Sequence, residues 1–287
     1  MEKQKASILK FKEMKKQGKK ITMVTTYDFA MMSQVDKSDI DMILVGDSAA
    51  NTMMGYEKTV QIDLDTMLVF CKAVANAGKH TFLVGDMPFM TYEINAEQAM
   101  ANAGRIIREG RMDAVKLEGG ERIANTVAAL VRAGIPVMGH IGLTPQSAAQ
   151  LGGFKVQGKN LKDAKQIVKD ALALEKAGVF AIVLEAIPSP VAKIITESVQ
   201  VPTIGIGAGN YCDGQVLVIH DLLGLFDRYT PKFVKRYANL GEEMQKALNT
   251  YANEVREGVF PDNEHSFSMP RELVEQLTDE LKTEGIL

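Results

Sequence analysis

The sequence predicts an α/β fold, a closed (β/α)8 TIM barrel. Three observations carry that expectation. Residues 43–48 read Ile-Leu-Val-Gly-Asp-Ser and residues 82–87 read Phe-Leu-Val-Gly-Asp-Met, one phrase written twice. Each is a short apolar run stopped by Gly and Asp, the pattern of a parallel strand buried on both faces. Such runs recur eight times, separated by stretches of helical spacing, as a βα repeat requires. The chain of 287 residues is also about the usual length of one barrel. An open doubly wound sheet is the alternative, but eight units in one chain of this length favour closure.

Taken in order, Ile8, Phe11 and Met14 share one face of a helix over 6–16, which Gly18 ends. Strand one is 21–26, and a short helix follows over 29–37. Strand two is 41–46. A loop over 49–62 shows no strong periodicity, and long loops on barrels are often lids. Asp63 is a plausible N-cap for a helix to Ala77, closed by Gly78. Strand three (80–85), a helix over 96–109, strand four (113–118), a helix over 121–133 and strand five (135–140) continue the rhythm. Residues 141–160 hold four glycines and form a second long loop. Helix 161–177 ends at Gly178, strand six is 180–184, and helix 189–198 follows Pro188. Strand seven (202–206), strand eight (215–219) and a mostly helical segment over 231–257 complete the barrel. The domain expected is 1–267, with a C-terminal extension over 268–287 in which Leu273, Val274, Leu277 and Leu281 have helical spacing.

Composition narrows the function. A net charge of −3 gives no reason to expect nucleic acid or an anionic membrane as partner. Cys71 and Cys212 lack CxxC spacing, which argues against a zinc site or disulfide framework. No apolar run approaches the roughly 18 residues of a membrane span, and the Lys-rich N-terminus lacks a signal peptide's apolar core. A cytoplasmic protein is expected.

The chemistry concentrates at strand ends, where parallel barrels build their sites. Asp47, Asp86 and Glu118 end strands two, three and four. Three convergent carboxylates repel one another unless a cation sits between them. Oxygen ligands favour a hard ion, most simply magnesium. Helix capping is the plainer reading of any single one. Ser48 could hold a substrate carboxylate or be an ordinary turn residue. Lys116 alternates onto the same face as Glu118 and needs an anionic partner, either a substrate or a structural one. His140 ends strand five and suits a supporting role. Glu185 ends strand six in apolar surroundings, as a proton acceptor or as a cap for helix 189–198. Gly205-Ile206-Gly207-Ala208-Gly209 lacks dinucleotide-fingerprint spacing and reads as a strand-seven loop open to close approach.

Several phrases together resemble the ketopantoate hydroxymethyltransferase family. They are Thr25-Thr26-Tyr27-Asp28, Leu44-Val-Gly-Asp-Ser48, Gly85-Asp-Met-Pro-Phe89, Val115-Lys-Leu-Glu-Gly-Gly120 and Gly139-His-Ile-Gly-Leu-Thr-Pro-Gln-Ser147. Gly152–Gly158, Leu184–Pro188, Ile204–Gly209, Asp213–Val218 and Glu264–Phe267 continue the match, which runs from about residue 20 to 267. The resemblance implies a barrel of the phosphoenolpyruvate/pyruvate-binding kind. It implies magnesium-dependent hydroxymethyl transfer from 5,10-methylenetetrahydrofolate to 3-methyl-2-oxobutanoate in pantothenate and coenzyme A synthesis, by a cytoplasmic homodecamer. Asp47 and Asp86 are then magnesium ligands with Glu118 a third, Asp47, Ser48, Asp86 and Lys116 meet the 2-oxo acid, and Glu185 accepts the proton. The chain departs from the family at Ala49-Ala50-Asn51, where Leu-Gly is usual, and at Ser38-Asp39, where Gly is usual.

Two other classes compete. A carbon–carbon lyase on a similar barrel would use magnesium and rim acids, with a Cys-bearing loop as acid. A barrel kept for binding alone would have lost those acids.

Overall fold

The computed structural model describes residues 5–226 and 230–287; residues 1–4 and 227–229 of the expected domain lie outside them. Eight parallel strands close in sequence order: β1 (Ile21–Thr25), β2 (Met42–Val45), β3 (Phe82–Asp86), β4 (Ala114–Glu118), β5 (Val137–Gly142), β6 (Ala181–Glu185), β7 (Thr203–Ile206) and β8 (Gly214–Leu217). β8 pairs back onto β1, so no edge is left open. Helix α1 (Ile8–Lys16) precedes the barrel. Helices α2 (Phe29–Val35), α3 (Ala49–Thr52), α4 (Leu64–Ala77), α5 (Ala96–Arg108), α6 (Ala124–Arg132), α7 (Leu161–Ala177), α8 (Ser189–Ser198) and α9 (Ile219–Leu222) lie between or after the strands.

The helices begin where short polar side chains can cap them. Asp63, Asn95 and Asn160 accept from the backbone N–H of Thr66, Gln98 and Asp163. Gly178 ends α7 at φ 99°, a left-handed position that favours glycine.

Period-two alternation sorts the strands into two layers. Ile43, Val45, Leu83, Val115, Leu117, Ile182 and Leu184 face the helices. Met42, Leu44, Phe82, Val84, Ala114, Met138, Ala181 and Val183 fill the barrel interior. Phe11 of α1 joins that interior group, edge-on to Phe82 with ring centroids 5.4 Å apart. The same parity carries Asp86, Lys116, Glu118, His140 and Glu185 inward at the C-terminal ends of their strands.

Several boundaries differ from the expected ones. β5 runs over Val137–Gly142 rather than 135–140, because Pro136 has no N–H for the ladder while Ile141 and Gly142 pair with Leu184 and Glu185. β8 stops at Leu217, and Ile219–Leu222 turns into helix as Ile219 N–H donates to Thr25 Oγ1. The expected loop 49–62 contains α3 and a 3-10 turn at Thr59–Gln61, and loop 141–160 contains another at Pro145–Ser147. The helix expected from 121 opens as a 3-10 turn over Glu121–Ile123.

A first compact unit spans Met1–Ala238 and a second spans Asn239–Leu287, so the expected boundary at 267 falls inside the second. That unit holds α10 (Leu240–Arg256) and α11 (Arg271–Thr283), neither with a buried residue. No described helix is long and apolar enough to cross a membrane.

At the N-terminal end of β3, buried Asp36 accepts from the backbone N–H groups of Lys79, His80 and Thr81 and from the Thr81 hydroxyl. Burial opposes its charge, but these donors win and hold its pKa below 3.8. Its contribution is therefore present above pH 3.8 and lost as pH falls through the lower folded value. Asp36→Asn turns an N–H group towards those donors and should cost about 1–3 kcal/mol at pH 7. Urea denaturation of both proteins checks this, and their difference should shrink below about pH 4.

Candidate active site

The inward acids and bases meet at the C-terminal mouth of the barrel, on adjacent strands. In register, Asp86 lies beside Lys116 and Glu118 beside His140. Lys116 Nζ is 2.8 Å from Asp86 Oδ1 and 3.6 Å from Glu118 Oε1, and all three side chains are nearly inaccessible to water. Burial works against the ammonium, but Asp86, Glu118 and Asp47 raise its pKa, so it is a fixed cation.

Asp47 follows β2 through Gly46. Its backbone N–H donates to Asp86 Oδ2 at 3.0 Å, and its Oδ2 accepts from Gln146 Nε2 at 3.1 Å. Burial and then the charges of Asp86 and Glu118 push its pKa well up. Asp86 is also raised, by burial, with Lys116 opposing. Glu118 goes the other way: Lys116 and His140 overcome burial and lower it.

His140 bridges two carboxylates. Nδ1 is 3.3 Å from Glu118 Oε1, and Nε2 is 3.2 Å from Glu185 Oε2. Burial and Lys116 disfavour its charge, but the hydrogen bonds to Glu118 and Glu185 prevail and carry its pKa to about 9. Lys116 Nζ also approaches Nδ1, at 3.2 Å, and Glu118 lies beside both groups.

Glu185 is the accessible member, its side chain 15% exposed against 1% for Asp86 and Glu118. Ala186, next in the chain, sits at φ 46°, a strained position for a residue with a Cβ. It is held by its N–H donating to Ile206 O and its carbonyl accepting from Gln157 N–H.

The capping alternatives do not describe these acids. α5 is capped by Asn95, α3 by Ser48 without a side-chain bond, and α8 begins after Pro188 without one. Ser48 Oγ lies 2.8 Å from the hydroxyl of Tyr27, whose pKa burial pushes to about 12. The glycines of strand seven's loop serve the chain's own packing: a Cβ at Gly209 would collide with Ser189, and one at Gly207 (φ 65°) with Phe233. Cys71 and Cys212 are buried free thiols, both pushed up by burial, Cys71 to about 12.

Three participants were not singled out by sequence reasoning: Gln146, Tyr92 and Tyr27. Buried Gln146 touches Asp47, Glu118 and Tyr92. Gln146 and Tyr27 lie inside the quoted family phrases, which is where a signal for them existed.

Among the described residues no cluster of three or more His, Cys, Asp or Glu side chains is arranged to hold a metal alone. Asp47 and Asp86 nonetheless fit a hard cation. They are buried, linked through Asp47 N–H, and raised in pKa by burial, with the other site acids adding to it, a strain that a divalent ion would relieve. Magnesium is commonly held by one or two carboxylates, with substrate and water completing its shell. Of the Glu118 oxygens, Oε2 accepts from Gln146 N–H, while Oε1 lies near Lys116 and His140 with no hydrogen-bond partner among the described residues. A cavity of about 580 Å³ lies past the ends of β4 and β5, lined by Gly119, Gly120, Arg122, Gly142, Gln157 and Asp170 among others and by none of Asp47, Asp86, Lys116, Glu118, His140 and Glu185.

Comparison with known proteins gives a consistent picture. The family model described as ketopantoate hydroxymethyltransferase matches residues 5–263. A Heliobacterium modesticaldum protein named 3-methyl-2-oxobutanoate hydroxymethyltransferase is 57% identical over 262 residues, covering 91% of this chain and 95% of its own. A Clostridium acetobutylicum protein of the same name is 50% identical over 268 residues, covering 93% and 97%. Among solved structures, phosphonopyruvate hydrolase in complex with oxalate and Mg++ aligns with a TM-score of 0.60 at 13% identity, covering 97% of each chain. A 2,3-dimethylmalate lyase of the PEP mutase/isocitrate lyase superfamily aligns at 0.57 and 14%, again over 97% of each. These last two are similar to the chain in fold.

Proposed function

The chain belongs to the ketopantoate hydroxymethyltransferase family and is a transferase, and we propose that it carries a hydroxymethyl group from 5,10-methylenetetrahydrofolate to 3-methyl-2-oxobutanoate. The product is 2-dehydropantoate, for pantothenate and coenzyme A synthesis. The observation that carries this reading is the placement of Glu185: an accessible carboxylate facing inward across His140 from the buried Asp86–Lys116–Glu118 cluster.

Asp47 and Asp86 would hold magnesium. Glu118 would join as the third acid, directly through Oε1 or through water, its Oε2 being held by Gln146 N–H. Bound magnesium would draw charge from the keto oxygen and make the C3 proton more acidic. Lys116 would neutralise the substrate's negative charge, and Ser48, its hydroxyl ordered by Tyr27, would meet the carboxylate. Glu185 takes the proton from C3. The C–H electron pair becomes the enolate, which forms the new C–C bond to the one-carbon unit. Water cleaves the two C–N bonds of the donor's methylene carbon. Its oxygen becomes the product hydroxyl oxygen, and its protons go to N5 and N10 of the departing tetrahydrofolate. The proton taken by Glu185 is returned to the alkoxide formed with the new C–C bond. His140 holds Glu185 in place from the far side. The cavity beside β4 and β5 is the space we assign to the folate donor. Assembly as a cytoplasmic homodecamer is part of the same reading, supported by the resemblance and by the exposed apolar row Met244, Leu248, Tyr251 and Val255 on α10.

Deuterium exchange at C3 of 3-methyl-2-oxobutanoate, followed by NMR without folate, tests the reading. Exchange should appear with magnesium and disappear with EDTA, and added methylenetetrahydrofolate should then give 2-dehydropantoate. Folded, magnesium-loaded protein that gave neither exchange nor product would refute it.

A further inference from the structure

Gln146 reaches the ends of three strands, those of β2 and β3 through its side chain and that of β4 through its backbone N–H. It sits in the 3-10 turn Pro145–Ser147, in the glycine-rich loop after β5, and is 6% exposed. Its Nε2 donates to Asp47 Oδ2 at 3.1 Å and to the Met87 carbonyl at 3.0 Å. Its Oε1 accepts from the Tyr92 hydroxyl at 2.7 Å, and its backbone N–H donates to Glu118 Oε2 at 3.0 Å.

This geometry permits one amide orientation. Both amide hydrogens have acceptors and the carbonyl has a donor. Flipping the group would set its oxygen against a carboxylate and a carbonyl, leaving buried polar atoms opposed. Tyr92 enforces the choice. Its hydroxyl oxygen accepts from Glu118 N–H at 3.2 Å, and of the two acceptors within reach of its single proton Gln146 Oε1 at 2.7 Å is nearer than the Glu118 carbonyl at 3.2 Å. A chain of bonds thus runs from the end of β4 through Tyr92 and Gln146 to Asp47.

The consequence falls on Asp47. Oδ2 is tied to Gln146, while Oδ1 accepts no hydrogen bond among the described residues. An untied carboxylate can offer either oxygen in several rotamers, whereas this one offers Oδ1 in one. We infer that Gln146 is a positioning residue, which through Tyr92 fixes the Asp47 oxygen presented to the cation. The inference rests on the magnesium reading of Asp47 and Asp86 given above. Partners of this kind behind a ligand typically change metal affinity about 10- to 100-fold when removed.

Direct binding of Mn2+ to the full chain, read by the EPR signal of the free ion, provides a test that needs no turnover. Gln146→Met keeps length and volume but removes every side-chain hydrogen bond. It should weaken Mn2+ binding about 10- to 100-fold, with the protein folded by circular dichroism. Tyr92→Phe leaves the amide in place but unfastened and should show a smaller loss of the same sign. Asp36→Ala is the control for plain destabilisation, since Asp36 bonds at the opposite end of β3. It should lower the melting temperature and leave Mn2+ affinity unchanged. Wild-type affinity in folded Gln146→Met would overturn the inference while leaving the metal site standing. If Gln146→Met does not fold, unchanged affinity in Tyr92→Phe overturns it alone. Wild-type protein that binds no Mn2+ would instead remove the magnesium reading and this inference with it.

Discussion

Replacing Glu185 with glutamine is expected to lower C3 exchange by roughly 10²- to 10⁴-fold, the usual worth of a positioned general base. The change is close to isosteric. The introduced amide keeps the shape of the side chain that lies 3.2 Å from His140 Nε2, so neither the strand end nor the turn at Ala186 need move. Binding of the 2-oxo acid, measured calorimetrically with magnesium present, should therefore stay near the wild-type value. A loss in rate without a loss in binding is what removal of a proton acceptor predicts. A second readout is independent of turnover. The Glu185 hydrogen bond is one of the influences that carry His140 to about 9. An amide supports the imidazolium less well, so the His140 ring should titrate at lower pH in the variant, as followed by NMR. Exchange within a few-fold of wild type would mean that another group takes the proton.

The barrel was legible because buried parallel strands leave a plain mark. Ile43–Val45 and Phe82–Val84 are apolar on both faces, and the Gly-Asp that follows marks the rim. Parity did the rest: Lys116 and Glu118 are two apart, and they do point the same way. The helix over 189–198 follows from Pro188 and its apolar spacing, and it has those bounds in the structure. What periodicity could not give is the network behind the acids. Gln146 bonds to residues 28, 54, 59 and 99 positions away, from a glycine-rich loop with no period to read. Tyr92 lies in an irregular stretch between β3 and α5 and shows its role only when Glu118 and Gln146 arrive beside it. Strand ends were misjudged where a local event decides them. Pro136 delays β5, and the Thr25 hydroxyl takes Ile219 N–H and so helps turn the chain after β8.

Lys116→Met should have the largest effect on stability. The substitution preserves much of the side-chain volume and removes one charge from a site where Asp86 lies 2.8 Å and Glu118 3.6 Å from it. Breaking a buried pair by deleting one partner typically costs about 3–5 kcal/mol, because the remaining charge is stranded. Here two carboxylates lose their nearest cation, and His140 alone remains beside Glu118. The sign of the pH dependence follows. Without Lys116 the folded-state pKa values of Asp86 and Glu118 move up, since Lys116 lowers both. The folded variant then holds protons that its unfolded chain releases, so its stability rises as pH falls from 7 towards 5. Under the magnesium reading, the ion should stabilise the variant more than the wild type, because it replaces part of the missing positive charge. Urea denaturation at pH 5 and pH 7, with EDTA and with magnesium, distinguishes these effects. If Lys116 neutralises the 2-oxo acid as proposed, the substrate should also bind more weakly to the variant. A variant as stable as wild type at pH 7, with no gain on acidification, would show that Asp86 and Glu118 do not depend on Lys116 for their charge. The electrostatic account of this barrel mouth would then have to be rebuilt around His140.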